Sequence, residues 1–139
     1  MTKIKRVIDA NVNRASEGLR VVEDVCRFIL DNDNLTRRLK DIRHRLRDSS
    51  CLWSTETDKL CKSRDAKSDV GRYSNTESEI KRNDVFDIVS ANLKRTEEAI
   101  RVLEEFTKLK DINVALTFQE DRYNLYEIEK EILAALDDK

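Results

Sequence analysis

The chain has 139 residues, 40% of them charged, with 27 basic against 28 acidic side chains and a net charge of −1. That length suits one domain, and the balanced charge argues against non-specific nucleic-acid binding and against strongly charged disorder. With no proline and only Gly18 and Gly71, the chain lacks the turn formers of a many-stranded sandwich or barrel. It also lacks the clustered glycines of a P-loop or dinucleotide fingerprint.

The N-terminal stretch MTKIKRVIDANVNR is basic, but no apolar run of signal-peptide length follows it. Nowhere do 18 apolar residues run together, so no membrane partner is expected, and no nucleic-acid partner either. Cys26, Cys51 and Cys61 are odd in number and without framework spacing, which reads as reduced thiols in a cytoplasmic protein. A zinc site from His44 and two of these would lack the paired C-x-x-C grip.

The first helix is predicted from about Ile8 to Leu30, on the apolar stripe Ile8, Val12, Ala15, Leu19, Val22, Cys26 and Ile29. Asp31-Asn32-Asp33-Asn34 breaks the pattern and offers caps for a second helix carrying Leu35, Leu39, Ile42 and Leu46. The stretch from Asp48 to Arg82 has no long stripe. Either part of it is a short helix, with Leu52 to Leu60 a candidate, or it is a functional loop or lid, which Trp53 is placed to pin to the helices. A third helix is predicted from Asn83-Asp84 on Val85, Val89, Leu93, Ile100 and Leu103, and a fourth after Lys110-Asp111 on Phe118, Leu125, Ile128, Ile132 and Ala135. Short turns make each pair antiparallel.

The first and third helices are copies. Asp9 to Glu23 sets against Ser90 to Glu104 at an offset of 81, with Ala10, Asn11, Arg14, Glu17, Arg20, Val21 and Glu23 repeated as Ala91, Asn92, Arg95, Glu98, Arg101, Val102 and Glu104. Arg43-His44-Arg45-Leu46 echoes Arg122-Tyr123-Asn124-Leu125 at an offset of 79. The expected fold is therefore all-α: a four-helix bundle built from a duplicated hairpin, as a single domain over 1–139. Hairpin 1 takes about 8–48, a long connection 49–82, and hairpin 2 about 83–136.

Core packing explains the shared apolar stripe but does not require the same Asn, Arg and Glu. Asn11 and Arg14 lie about 60° apart around the helix, beside the apolar stripe, as do Asn92 and Arg95. Two related helices thus present two Asn and two Arg toward a shared cleft, a pocket suited to a phosphorylated ligand because guanidinium forks match phosphate oxygens. Arg20 and Arg101 read instead as surface ion pairs with acids three and four residues on. A mid-helix Asn beside an apolar face wants a partner, either an interhelical hydrogen bond or a ligand.

Arg6-Val-Ile-Asp-Ala-Asn-x-Asn-Arg-x-x-Glu-Gly-Leu-Arg-Val-Val-Glu-Asp24 resembles the opening of the small, monofunctional hydroxymethylpyrimidine phosphate kinases of bacterial thiamine biosynthesis, often fused in front of thiamine-phosphate synthase. Three further pieces match: Arg43-His44-x-Leu46, Ser63-Arg64-Asp65-x-x-x-Asp69-Val70-Gly71, and Ala91-Asn92 to Glu105, so the resemblance covers roughly 6–133. It implies ATP-dependent phosphorylation of 4-amino-5-hydroxymethyl-2-methylpyrimidine phosphate to its diphosphate, with ATP and Mg²⁺ as cofactors. Asp65 and Asp69 are expected to hold Mg²⁺ or orient the acceptor hydroxyl, and Arg64 to bind phosphate. Asn11, Arg14, Asn92, Arg95, Arg43, His44 and Gly71 are expected to bind substrate or phosphate, with His44 also a candidate base.

The bland reading of the 64–71 loop is a turn with Asp caps, solvated charges and Gly71 at positive φ. Ala66 and Arg72 stand where many members have Thr, which moves any hydroxyl role to Ser68 or Ser74. The synthase part is absent, which implies a stand-alone form or a fragment of a fusion. Two other readings compete with the enzyme: a non-catalytic binding or regulatory domain for a phosphorylated small molecule, and a structural bundle forming a homodimer through Val21, Val25 and Phe28.

Overall fold

The computed structural model describes residues 2–54 and 59–138, and among them no strand forms. The elements are α1 (Thr2–Asp24), extended by a wide turn over Val25–Ile29, then α2 (Asp33–Ser50), α3 (Glu77–Ile80, one turn), α4 (Val85–Thr107) and α5 (Ile112–Asp137). Tight turns at Cys51–Trp53 and Leu60–Ser63 punctuate the connection. The candidate helix from Leu52 to Leu60 crosses residues 55–58, which lie outside the described residues.

The apolar stripes become the core. Ile8, Leu19, Val22, Leu39, Ile42, Leu46, Leu93, Ile100, Leu103, Leu125 and Ile132 are fully or almost fully buried. α1 packs on α2 and α4, and α5 packs on α4 and α2. Arg38–Glu131 (2.7 Å) and Arg45–Asp121 (2.9 Å) tie α2 to α5 at the surface of that contact. Trp53 is buried, donates Nε1 to Thr107 Oγ1 at 3.3 Å, and so fastens the start of the connection to the end of α4.

Capping follows the sequence in kind. Asn32 alone caps α2, accepting from Leu35 N at 2.9 Å, while Asp31 takes the turn at φ 49°. Asp84 caps α4 and Asp111 caps α5. α1 starts earlier than its apolar stripe, because Lys3, Ile4, Lys5 and Arg6 are good or tolerable helix formers.

The end of α1 corrects two expectations. Leu30 N bonds Val25 O and Asn32 N bonds Cys26 O, a wider winding than 3.6 residues per turn. It rotates the last residues out of phase with the stripe. Ile29 is exposed rather than core, and Val25 is buried rather than on the outward stripe with Val21 and Phe28. Cys26 is buried as its place on the stripe predicts, and burial, with Glu23 close by, pushes its thiol up to about 11. Among the described residues no helix is long and apolar enough to cross a membrane.

Candidate functional site

The close approach of α1 and α4 depends on small residues. A Cβ on Gly18 would collide with Thr96 Oγ1 and lie 3.0 Å from the Asn92 carbonyl. Between the helices runs an inter-helix cleft of about 490 Å³. Its walls are five residues of α1, namely Asn11, Arg14, Glu17, Gly18 and Val21, and their five counterparts 81 positions on, Asn92, Arg95, Glu98, Ala99 and Val102. The sequence repeat is thus a repeat in space, and Asn11, Arg14, Asn92 and Arg95 share one cleft.

The two Asn satisfy themselves within their own helices. Asn11 Nδ2 donates to Val7 O and Asn92 Nδ2 to Ile88 O, each at 2.8 Å. One partner of each amide is therefore the carbonyl four residues back, not the opposite helix. That bond uses one N–H and fixes the amide at the cleft wall. Arg14 donates to Asn11 Oδ1 at 3.4 Å, and Arg95 has no ion-pair partner among the described residues.

A second cleft, of about 520 Å³, opens where the connection crosses α1. Lys3, Arg6, Asn11 and Arg14 line it from α1, and Arg64, Asp65, Ala66 and Asp69 from the loop. The two clefts meet at Asn11 and Arg14. Asp65 Oδ1 accepts from Ser68 N at 3.1 Å, and Asp69 Oδ1 from Gly71 N at 2.8 Å. Gly71 is exposed, outside both clefts, and not at positive φ. Ser74 gives its hydroxyl to the Gly71 carbonyl, and neither it nor Ser68 lines the cleft.

Three site expectations meet a different geometry. Arg64 directs Nε and Nη2 onto Asp9, both at 2.8 Å, so most of its fork is engaged within the protein. Arg43 holds Glu23 from α2 at 2.9 and 3.3 Å, away from both clefts. His44 is exposed on α2 and lines neither cleft. Sequence reasoning gave no role to Asp9, Lys3 or Arg6. Asp9 corresponds to Ser90, one of eight differences among the fifteen aligned positions of the repeat, so the sequence alone does not single it out.

The described residues contain no cluster of three or more His, Cys, Asp or Glu able to hold a metal. Two exposed carboxylates in one cleft, each with one oxygen tied to a backbone N–H, still suit Mg²⁺. That ion is commonly held by one or two carboxylates together with substrate phosphates and water.

Duplicated helices enclosing a cleft of mixed charge, with the loop that carries Asp65 and Asp69 laid beside it, define a small all-helical domain with polar clefts. The chain belongs to the ThiD2 family, whose model matches residues 6–131. It is similar to the thiamine-phosphate synthase of Synechocystis sp. (strain ATCC 27184 / PCC 6803 / Kazusa), 42% identical over 134 residues, covering 96% of this chain and 37% of that protein. It is likewise 42% identical over 133 residues to the thiamine-phosphate synthase of Synechococcus sp. (strain CC9311), covering 96% of this chain and 36% of the relative. With the thiamine-phosphate synthase of Rhodopirellula baltica it shares 40% over 129 residues, or 93% and 34% of the two chains. The chain thus spans little more than a third of the length of the curated relatives it matches. No solved structure is similar enough to count as a match.

Proposed function

We propose that this chain transfers the γ-phosphoryl group of ATP to 4-amino-5-hydroxymethyl-2-methylpyrimidine phosphate, giving the diphosphate and ADP, within thiamine biosynthesis. The observation that carries this reading is the meeting of the two clefts at Asn11 and Arg14. One cleft supplies paired cations from α1 and α4, and the other supplies carboxylates beside further cations. The names of the relatives support the pathway, and the sequence motifs support the kinase step.

The duplicated hairpins are read as a four-helix bundle whose pseudo-two-fold axis passes through the inter-helix cleft. Arg14 and Arg95 flank that axis and would bind phosphate oxygens from two sides. Asn11 and Asn92, fixed by their back-bonds, would present their remaining N–H and Oδ1 to the pyrimidine or phosphate. Asp65 and Asp69 would hold Mg²⁺, which neutralises charge on the transferring phosphoryl group.

The acceptor is an oxygen of the substrate's phosphate monoester, not a hydroxyl. It forms a bond to the γ-phosphorus as the bond from that phosphorus to the β–γ bridging oxygen breaks. A doubly ionised phosphate has no proton to lose, so the step needs no general base. That fits the remote position of His44.

The test is a coupled assay of the purified protein with Mg-ATP and the pyrimidine phosphate, with the unphosphorylated pyrimidine as control. ADP formed only with the phosphate ester supports the kinase. No ADP from folded protein overturns it, and thermal stabilisation by the pyrimidine phosphate without ADP would identify a binding domain.

A further inference from the structure

We infer that Asp9 is a positioning residue: by gripping Arg64 it fastens the loop that carries Asp65 and Asp69 over the cleft. Arg64 Nε meets Asp9 Oδ2 and Nη2 meets Asp9 Oδ1, both at 2.8 Å, the parallel two-pronged geometry of the strongest side-chain pairs. Asp9 is only 6% exposed, so its carboxylate has little water to fall back on if Arg64 leaves. Arg64 is half exposed and reaches Asp9 across 55 residues of chain.

The position of the pair along the connection matters. The turn at Leu60–Ser63 packs against α1, with Leu60 touching the core. Beyond Arg64, every residue from 65 to 80 is exposed. The hydrogen bonds described for Asp65, Asp69, Ser74, Thr76 and Arg82 all stay within 65–82. Arg64 is therefore the anchor immediately before the loop's two cleft-lining carboxylates.

The asymmetry of the two hairpins is consistent with this role. Ala10 and Asn11 are duplicated as Ala91 and Asn92, yet Asp9 corresponds to Ser90. The break falls where the fold itself is asymmetric, since only α1 has the 64–71 loop laid against it.

The test uses hydrogen–deuterium exchange on the ligand-free full chain, as wild type, Asp9→Asn, Arg64→Ala and the double variant. Exchange across 64–72 should rise about tenfold in each single variant and no further in the double, with α4 amides unchanged. The double variant leaves no charge unpaired, so it keeps the test open if either single variant folds poorly. Wild-type exchange across the loop in Arg64→Ala would overturn the inference.

A kinetic readout rests on the proposed kinase activity. Both single variants should lower kcat about tenfold while leaving KM for the pyrimidine phosphate within about twofold, and Arg64→Lys should restore part of the loss. A raised KM in Arg64→Ala but not in Asp9→Asn would make Arg64 a direct phosphate ligand and overturn the inference. If the wild type shows no turnover, the kinase reading fails, while the exchange data still decide the role of Asp9.

Discussion

Arg122 on α5 donates Nη2 to Glu104 on α4 at 3.0 Å, with both side chains nearly closed off from water. In the first hairpin Arg43 on α2 holds Glu23 on α1 at 2.9 Å, also nearly closed off. Arg20 and Arg101 flank these acids from the exposed side, at 4.0 and 3.5 Å. Much of the duplicated polar sequence therefore clamps each hairpin to itself. Removing one member leaves the other charge buried and unpaired, which typically costs about 3–5 kcal/mol. Glu104→Ala and Glu23→Ala should each lose that much in urea unfolding of the ligand-free protein. A loss below about 1 kcal/mol in both would mean that water already screens these pairs.

Gly18 and Thr96 form a matched contact. At the equivalent places of the repeat stand Ala99 and Ala15, so α1 offers Ala15 and Gly18 where α4 offers Thr96 and Ala99. Thr96 is fully buried and bonds back to the Asn92 carbonyl at 2.8 Å. Gly18→Ala should destabilise the fold by about 1–3 kcal/mol through overpacking, despite the better helix propensity of alanine. Adding Thr96→Ala removes the atom that the new methyl meets and should recover most of the loss. Thermal melts of the wild type and the two variants decide the matter, and a Gly18→Ala protein as stable as wild type would show that the helices separate easily.

The helices and their caps were legible because they rest on local patterns: stripes at helical spacing, and Asn32, Asp84 and Asp111 just before them. The inter-helix cleft was legible because duplication put the same polar residues on two helices. What stayed hidden depends on distant partners. Nothing near Arg43 announces Glu23, so its match to a family motif suggested phosphate binding instead. Asp9 and Arg64 are joined only once the connection folds back on α1. The wide turn over Val25–Ile29 left no sequence signal, since the apolar stripe continues through it while the backbone rotates away.

Arg14 and Arg95 differ from the clamp arginines in being exposed and free of an acidic partner across the helices. Replacing either with Ala should leave the melting temperature nearly unchanged. Each replacement should weaken binding of the phosphorylated pyrimidine or ATP by about tenfold or more, the scale of a lost charge-assisted hydrogen bond. Isothermal titration of each single variant measures this. Unaltered binding in both would remove the inter-helix cleft from the ligand site and leave the loop cleft alone.

Glu97 on α4, facing Glu129 on α5, carries the clearest pH signature. Burial first, and then the hydrogen bond and charge of Glu129, push the Glu97 carboxyl up to about 8, against a small opposing pull from Lys94. One Glu97 oxygen is buried without a partner among the described residues. The native state therefore keeps a proton that the unfolded chain releases near its ordinary value of 4.5. Between those values the native state binds more protons, so stability falls as pH rises, and the cost is complete only above about 8. Glu97→Gln is neutral at every pH and should match the wild type near pH 5. It should then melt about 4 °C higher near pH 9, a modest gain because the side chain is half-buried. Burial raises the Asp121 carboxyl as well, and it tilts the whole profile the same way, so the informative quantity is the difference between variant and wild type. A gap that stays constant with pH would show that Glu97 does not hold its proton in the folded protein above the ordinary carboxylate range.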